Sequence, residues 1–414
     1  MDFKFLHAAD LHLDSPLRGL SRYEGVPAET VRLATRAAFD NLIECAIDEK
    51  VAFLVLAGDL YDGTWEAFAT GLYFCAAMGR LERAGIDVFL VYGNHDADSH
   101  LTSQLPLPGN VKVFSKKKAE TFVHAATGAA LHGQSYAARD PGGDLVPGYP
   151  TATANALNVG VLHTALSGDR GHAPYAPCTP DELAAKGYDY WALGHVHAFE
   201  MVRAEPAIVF PGNLQGRNIR ETGPKGAVLV TVGDRAVQDV EHVALDVVRW
   251  TLTEVDVALA ADLQQVHDRV RAGLIAALAA ADGRPLMARV RLTGRTSLHG
   301  ELLGDRRALR EGVRAIALSL SDGIWIEKVE VGTQAPHAMV TGSDDFGAIL
   351  NALADDPSLV EELAHDLSDF LSKAPPELDD EVACLVEARA GQLGGLLEDA
   401  ALALRARLGM DGDA

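Results

Sequence analysis

Within its first hundred residues the chain reads as strand, helix, strand, helix, strand, and this alternation constrains the fold more than any other feature. Residues 4–9, 51–57 and 87–92 are short apolar runs rich in β-branched and aromatic side chains, the pattern of strands buried on both faces. Between them, residues 28–50 place Val31, Ala34, Ala38, Leu42, Cys45 and Ala46 near helical spacing, and residues 66–84 read as a second helix. Such alternation predicts parallel strands joined by crossover helices, with functional groups at the carboxyl ends of the strands.

Each apolar run stops in a polar cluster. The first ends in Asp10-Leu11-His12-Leu13-Asp14, the second in Gly58-Asp59-Leu60-Tyr61-Asp62 and the third in Gly93-Asn94-His95-Asp96. Asp10 and His12 have the i, i+2 spacing that puts both side chains on one side of an extended backbone. Gly93 lets the chain turn. Asn, His and Asp are also common turn residues, so a single cluster says little, whereas a shared position at predicted strand ends says more. Farther on, residues 157–162 close on His163, and residues 188–193 on Gly194-His195-Val196-His197. His163 is preferred to His132 because residues 159–162 form the better buried strand. His100, His124, His132, His172, His242, His267 and His299 lack such company and read as surface or hydrogen-bonded core histidines. Lys116-Lys117-Lys118 reads as a solvated turn that could touch a phosphate backbone.

Collected, the strand ends suit two divalent cations. Asp59 is the candidate bridging carboxylate, Asp10, His12 and His197 complete one site, and Asn94, His163 and His195 complete the other. Mixed imidazole and oxygen ligands suit Mn, Fe or Zn better than Mg or Ca. Paired cations about 4 Å apart activate water and stabilise charge in phosphate-ester hydrolysis. His95 is then free to contact the phosphate and protonate the leaving oxygen, and Asp96 to orient the backbone or the imidazole.

With 414 residues and 48% hydrophobic content, the chain is long enough for two or three domains. Residues 111–136 lose the helical period and suggest a second, antiparallel sheet, so residues 1–246 form one domain. Residues 247–338 repeat strand, helix, strand, helix, strand as a small α+β unit. Residues 339–414 look helical, interrupted by Pro357 and Pro375-Pro376. No apolar run approaches the roughly 20 residues of a membrane span. The N-terminus enters a strand pattern with no signal peptide, so the expected compartment is the cytoplasm. Cys45, Cys75, Cys178 and Cys384 lack metal-binding or disulfide spacing and read as buried thiols. A formal charge of −22 weighs against a nucleic-acid partner. Much of the excess lies in residues 341–414, which hold 4 basic against 17 acidic side chains.

The order Asp10-x-His12, Gly58-Asp59, Gly93-Asn94-His95-Asp96, His163 and Gly194-His195-x-His197 resembles the calcineurin-like metallophosphoesterase superfamily. Within it, residues 7–17 and 211–223 resemble the YhaO-type branch of the SbcD family of bacterial DNA repair nucleases. The resemblance covers roughly residues 1–235. It implies an αββα four-layer sandwich, two Mn ions held by Asp10, His12, Asp59, Asn94, His163, His195 and His197, and a phosphate-contacting His95. It also implies DNA as substrate, cleaved as an exonuclease and also as an endonuclease, a capping domain over residues 247–335, and an SbcC-like coiled-coil ATPase as partner. A homodimer is a further expectation. An amphipathic stripe of Leu378, Val382, Leu385, Leu393, Leu396, Ala400 and Leu404 is a candidate docking element; a bundle packed on its own chain is the alternative. A phosphodiesterase or phosphatase for small nucleotides needs the same metals and no long groove. A nonenzymatic scaffold for an ATPase would leave His95 without a purpose.

Overall fold

Parallel strands β1 (Phe3–Ala8), β2 (Phe53–Ala57) and β3 (Asp87–Val91) lie side by side, connected through helices α1 (Ala28–Asp48) and α2 (Phe68–Arg83), and β3 leads into the one-turn helix α3 (Asn94–Ala97). β4 (Val111–Val113) joins β3 in parallel, and β11 (Gly226–Gly233) and β12 (Ala236–Ala244) complete the other edge antiparallel, giving the order β12-β11-β1-β2-β3-β4. A second six-stranded sheet is built from β5 (Glu120–Val123), β6 (Ala130–Gly133), β7 (Asn158–His163), β8 (Tyr190–Gly194), β9 (Glu200–Ala204) and β10 (Ala207–Phe210), in the order β5-β6-β7-β8-β10-β9. The computed structural model describes residues 2–15, 28–61, 68–97, 106–167, 175–336 and 357–373, with isolated positions between 385 and 404.

Strand periodicity sorts the core into layers. Leu6, Ala8, Leu54, Leu56, Val88 and Leu90 face the helices and pack with Ala38, Phe39, Leu42, Phe74 and Met78. Their chain neighbours Phe5, Phe53, Val55, Phe89 and Val91 face the other way, onto Leu131, Val159, Val161, Tyr190, Ala192 and Val209 of the second sheet. On the far side of that sheet Leu162, Trp191, Leu193 and Phe210 pack with Tyr149, Leu183 and Tyr188. Among the described residues this outer layer holds one short α-helix, α4 (Pro180–Ala185), begun by a capping box between Thr179 and Glu182, and a single 3-10 turn at Val146–Gly148.

Two details depart from the sequence reading. Residues 111–113 belong to the first sheet, and the second sheet is parallel at its centre, antiparallel only where β5 meets β6 and β9 meets β10. β4 has three residues, too few to carry a period that reveals its partner.

The chain divides into two units, Met1–Thr251 with Ala281–Met287, and Leu252–Ala280 with Ala288–Ala414. The three-stranded sheet β13-β14-β15 (Arg249–Asp256, Leu286–Thr293, Ile324–Val331) is accompanied in the second unit by α5 (Leu263–Ala280), α6 (His299–Gly304) and α7 (Arg306–Leu320). Val266, Val270 and Leu274 of α5, with Leu309 and Val313 of α7, are buried there. Arg289 is clasped by Glu327 at 2.7 Å and Glu330 at 3.1 Å. The helix α8 (Pro357–Lys373) follows. Leu378, Val382 and Leu396 of the candidate docking stripe lie outside the described residues, while Leu385 and Leu393 are buried and Leu404 is 40% exposed. No helix among the described residues is long and apolar enough to cross a membrane.

Candidate metal centre

The parallel register carries β1, β2 and β3 to the same end, and the loops that follow them converge. Backbone pairing runs on past the strands: Asp10 N donates to Gly58 O at 3.0 Å, His12 N to Asp59 O at 3.1 Å and Leu13 N to Leu60 O at 2.9 Å. These bonds brace an unusual backbone. Asp10, His12, Asp14 and Asp59 have φ of 51°, 41°, 62° and 53°, and His195 has φ of 103°. Non-glycine residues rarely adopt such values, and where they cluster they mark functional sites held by their surroundings.

Two glycines allow the close approach. Gly58, at φ 97°, has no room for a side chain, since a Cβ there would collide with His163 Nδ1 and stand 3.1 Å from Gly93 Cα. Gly93 does not have a left-handed φ. Its role is proximity rather than the expected turn: a Cβ would strike Asp59 Oδ1 and lie 2.9 Å from both Asp59 N and His163 Cε1.

Ligand-type atoms gather in three overlapping groups, each within 4.8 Å: Asp10, His12 and His197; His12, Asp59 and His95; Asp59, His163 and His195. Asp59 belongs to two of them. Asn94 stands beside the third group, its Oδ1 2.9 Å from His163 Nε2. The structure therefore brings together every residue that the sequence reading assigned to metals, and His95 with them. Asp96 differs. Its fully buried carboxylate accepts from Leu60 N at 3.0 Å, Tyr61 N at 3.3 Å and Gly93 N at 3.1 Å, so it fastens the β2 and β3 loops together. His132 is bonded to Thr121 Oγ1 at 2.8 Å and Asn158 Oδ1 at 3.1 Å, as a core histidine. His100 and His172 lie outside the described residues.

Three observations fit this pocket to divalent cations. Buried Asp10 Oδ1 has no hydrogen-bond partner among the described residues and faces His197 Nε2 at 3.8 Å. The Nε2 atoms of His12 and His197 point at each other 3.2 Å apart, close to the ~3 Å that two ligands with metal bonds of about 2.1 Å subtend. The donor set, imidazoles with carboxylates, is that of transition-metal ions rather than Mg or Ca.

Outer contacts choose which nitrogens face inward. His163 Nδ1–H donates to Ala57 O at 2.9 Å, leaving Nε2 toward Asn94 and Asp59. His197 Nδ1 is 2.8 Å from Glu221 Oε1. Burial lifts the Asp10 carboxyl and lowers the His12 imidazole. Burial also opposes charge on Asp59 and His163, but their 3.4 Å pairing dominates: Asp59 falls well below the usual carboxyl range and His163 rises to about 9. A cation and a proton compete for the same lone pair on His163 Nε2. Burial, with Asp59 nearby, pushes Asp96 up to about 7. Glu221 is buried too, yet His197 and Arg217 hold it well below the usual range.

Sequence reading missed two supports. Asp14 accepts from Arg36 Nε and Nη2, both at 2.6 Å, and from Thr70 Oγ1, fastening the β1 loop to α1 and α2. Its place in the motif of residues 7–17 was the available signal. Glu221 lay within the motif of residues 211–223, but nothing in its spacing linked it to His197.

Fold and pocket together define a metallophosphoesterase: two stacked mixed sheets with Asp, Asn and His clustered at strand ends. Residues 3–199 match the calcineurin-like phosphoesterases, and residues 250–334 match the middle domain of metallophosphoesterase YhaO. The chain is 37% identical over 273 residues, 65% of its length and 67% of the relative's, to the uncharacterized metallophosphoesterase YhaO of Bacillus subtilis. It belongs to the calcineurin-like phosphoesterase family, whose members bind divalent metals. It is also 25% identical to the DNA double-strand break repair protein Mre11 of Methanopyrus kandleri, over 67% of this chain and 65% of that one. The same identity holds for Mre11 of Haloferax volcanii, over 65% and 58%. The chain thus spans about three fifths to two thirds of the curated relatives it matches.

Proposed function

We propose that this phosphoesterase hydrolyses DNA phosphodiester bonds in the cytoplasm, as an exonuclease with an endonuclease action, using two Mn ions. The observation that carries the reading is the overlap of the three ligand groups on Asp59 and His12, which suits two adjacent cations better than one. Asp10, His12 and His197 would hold one, Asn94, His163 and His195 the other, and Asp59 would lie between them. The bound pair supplies Lewis-acid charge to the phosphate and lowers the pKa of the attacking water. His95, whose backbone N–H is held by Asp59 Oδ1 at 3.0 Å, contacts the phosphate and delivers a proton to the leaving oxygen. Asp96 positions the loop that carries it.

Two features support a nucleic acid as substrate. Relatives named as DNA double-strand break repair proteins share 25% identity. Lys116 lies over the ring of Tyr92, the residue before Gly93 in the chain, 5.2 Å from its centroid, and the Lys116–Lys118 run offers positive charge to a phosphate chain. Residues 247–338 would then form a capping domain, and residues 339–414 the dock for an SbcC-like ATPase within a homodimeric assembly. The charge of −22 favours a second reading, a phosphodiesterase for small nucleotides.

Labelled single- and double-stranded DNA and bis-p-nitrophenyl phosphate, each incubated with Mn or with chelator, separate the two. Mn-dependent shortening of DNA is expected. Hydrolysis of the small ester with every DNA intact would leave the small-substrate reading standing alone.

A further inference from the structure

Glu221 lies in the segment between β10 and β11, away from every strand end. Its carboxylate is 7% exposed and receives four well-formed bonds: from His197 Nδ1 at 2.8 Å, Asn213 Nδ2 at 2.9 Å, Arg217 N at 2.7 Å and Arg217 Nη2 at 3.0 Å. The segment itself is pinned. Trp250 Nε1 donates to Gly216 O at 2.9 Å, and Gln215 donates to Val248 O at 2.6 Å while accepting from Val247 N at 3.0 Å. Lys225 Nζ, from the same segment, donates to His197 O at 2.6 Å. Ring and backbone of His197 are thus both gripped by residues 213–225.

The shorter contact, to the carboxylate, favours one tautomer. Arg217 Nη2 stands 3.2 Å from His197 Nδ1, and both lie within hydrogen-bond distance of Glu221 Oε1. Were Nδ1 bare, its lone pair would face the carboxylate oxygen at 2.8 Å. With Nδ1 protonated, imidazole and guanidinium both donate to the one oxygen, and the lone pair sits on Nε2, the atom facing His12 and Asp10.

We propose that Glu221 is a positioning residue for His197: it fixes the Nδ1–H tautomer and the ring plane, so that Nε2 is presented to a divalent cation shared with Asp10 and His12. Arg217 keeps that carboxylate from adding net negative charge to the pocket. The proposal rests on the reading of His197 as a metal ligand.

The test measures metal and tautomer separately. Calorimetric titration of Mn into the wild type, His197→Ala, Glu221→Ala and the double variant reads the cation sites, with near-UV circular dichroism confirming the fold. His197→Ala is expected to lose tight binding of one Mn, and Glu221→Ala to weaken that site roughly 10- to 100-fold. In the His197→Ala background, Glu221→Ala should cost nothing more. Wild-type affinity in Glu221→Ala, or the same loss with and without His197, overturns the proposal. Two intact Mn sites in His197→Ala would instead overturn the ligand reading beneath it. Ring 15N shifts of the metal-free wild type decide the matter even if Glu221→Ala fails to fold: an Nδ1–H tautomer is expected at His197, and an Nε2–H tautomer overturns the assignment.

Discussion

His7 of the first sheet and Tyr190 of the second are joined across the interlayer core by a 3.0 Å bond between Nδ1 and the phenol oxygen. The other ring nitrogen, Nε2, lies 3.0 Å from Leu193 O. Because a carbonyl only accepts, Nε2 carries the proton and Nδ1 accepts from Tyr190. A polar side chain survives between its strand neighbours Val55 and Val228 because both of its nitrogens are satisfied. Tyr190→Phe should therefore cost about 1–3 kcal/mol, read as a lower urea midpoint at an unchanged m-value, by leaving Nδ1 buried and unbonded.

Burial also pushes the His7 imidazole down to about 3 from an ordinary 6.5. Between those values the unfolded chain binds a proton that the folded chain refuses, so stability rises with pH across this window. The contribution is full above pH 6.5 and is lost as pH falls toward 3. From pH 6.5 to pH 5 it amounts to about 2 kcal/mol. His7→Asn, which cannot titrate, should flatten this part of the pH dependence in urea melts, whatever its effect on stability at neutral pH.

Gly93→Ala introduces a Cβ against Asp59 Oδ1 and 2.9 Å from Asp59 N. Asp59 is fully enclosed and its backbone is held by the β1 loop, so the carboxylate must move. Turnover of bis-p-nitrophenyl phosphate is expected to fall by about 100-fold, with metal content below two Mn per chain by atomic absorption. Undiminished turnover with both metals in place would show that the β3 loop yields instead.

His95→Ala tests whether that imidazole acts on substrate or on metal. It is grouped with His12 and Asp59, its backbone N–H donates to Asp59 Oδ1, and its ring packs edge-on to His12. Retention of both Mn ions with turnover lower by about 10²–10⁴ is the expected outcome for a proton donor. Loss of a metal would make it a ligand.

Much of this arrangement was legible because strand ends are visible as the points where apolar runs stop. Asp10, His12, Asp59, Asn94, His163, His195 and His197 were singled out that way, and helical spacing picked out Ala38 and Leu42, which are buried in the core beneath the first sheet. What lay beyond reading were contacts between segments distant in sequence. Glu221 and Asp14 carry no local pattern that names His197 or Arg36 as partner, and the parallel order of β6, β7 and β8 follows from long-range pairing. Gly93 was noticed for the wrong reason, since a sequence shows that a glycine is present but not which atom crowds it.

His12 and His197 meet across 185 positions of chain, and Glu221, which grips the second of them, lies farther on. Closing that loop requires β1 to be flanked by β11 on one side and β2 on the other, which uses almost the whole of the larger unit. Asp10 and His12 come from the first strand's loop and His163, His195 and His197 from the second sheet, so neither segment makes the pocket without the other. The pocket is thus a property of the folded unit rather than of any one of its segments. The long way round the chain makes the pocket as cooperative as the fold that carries it.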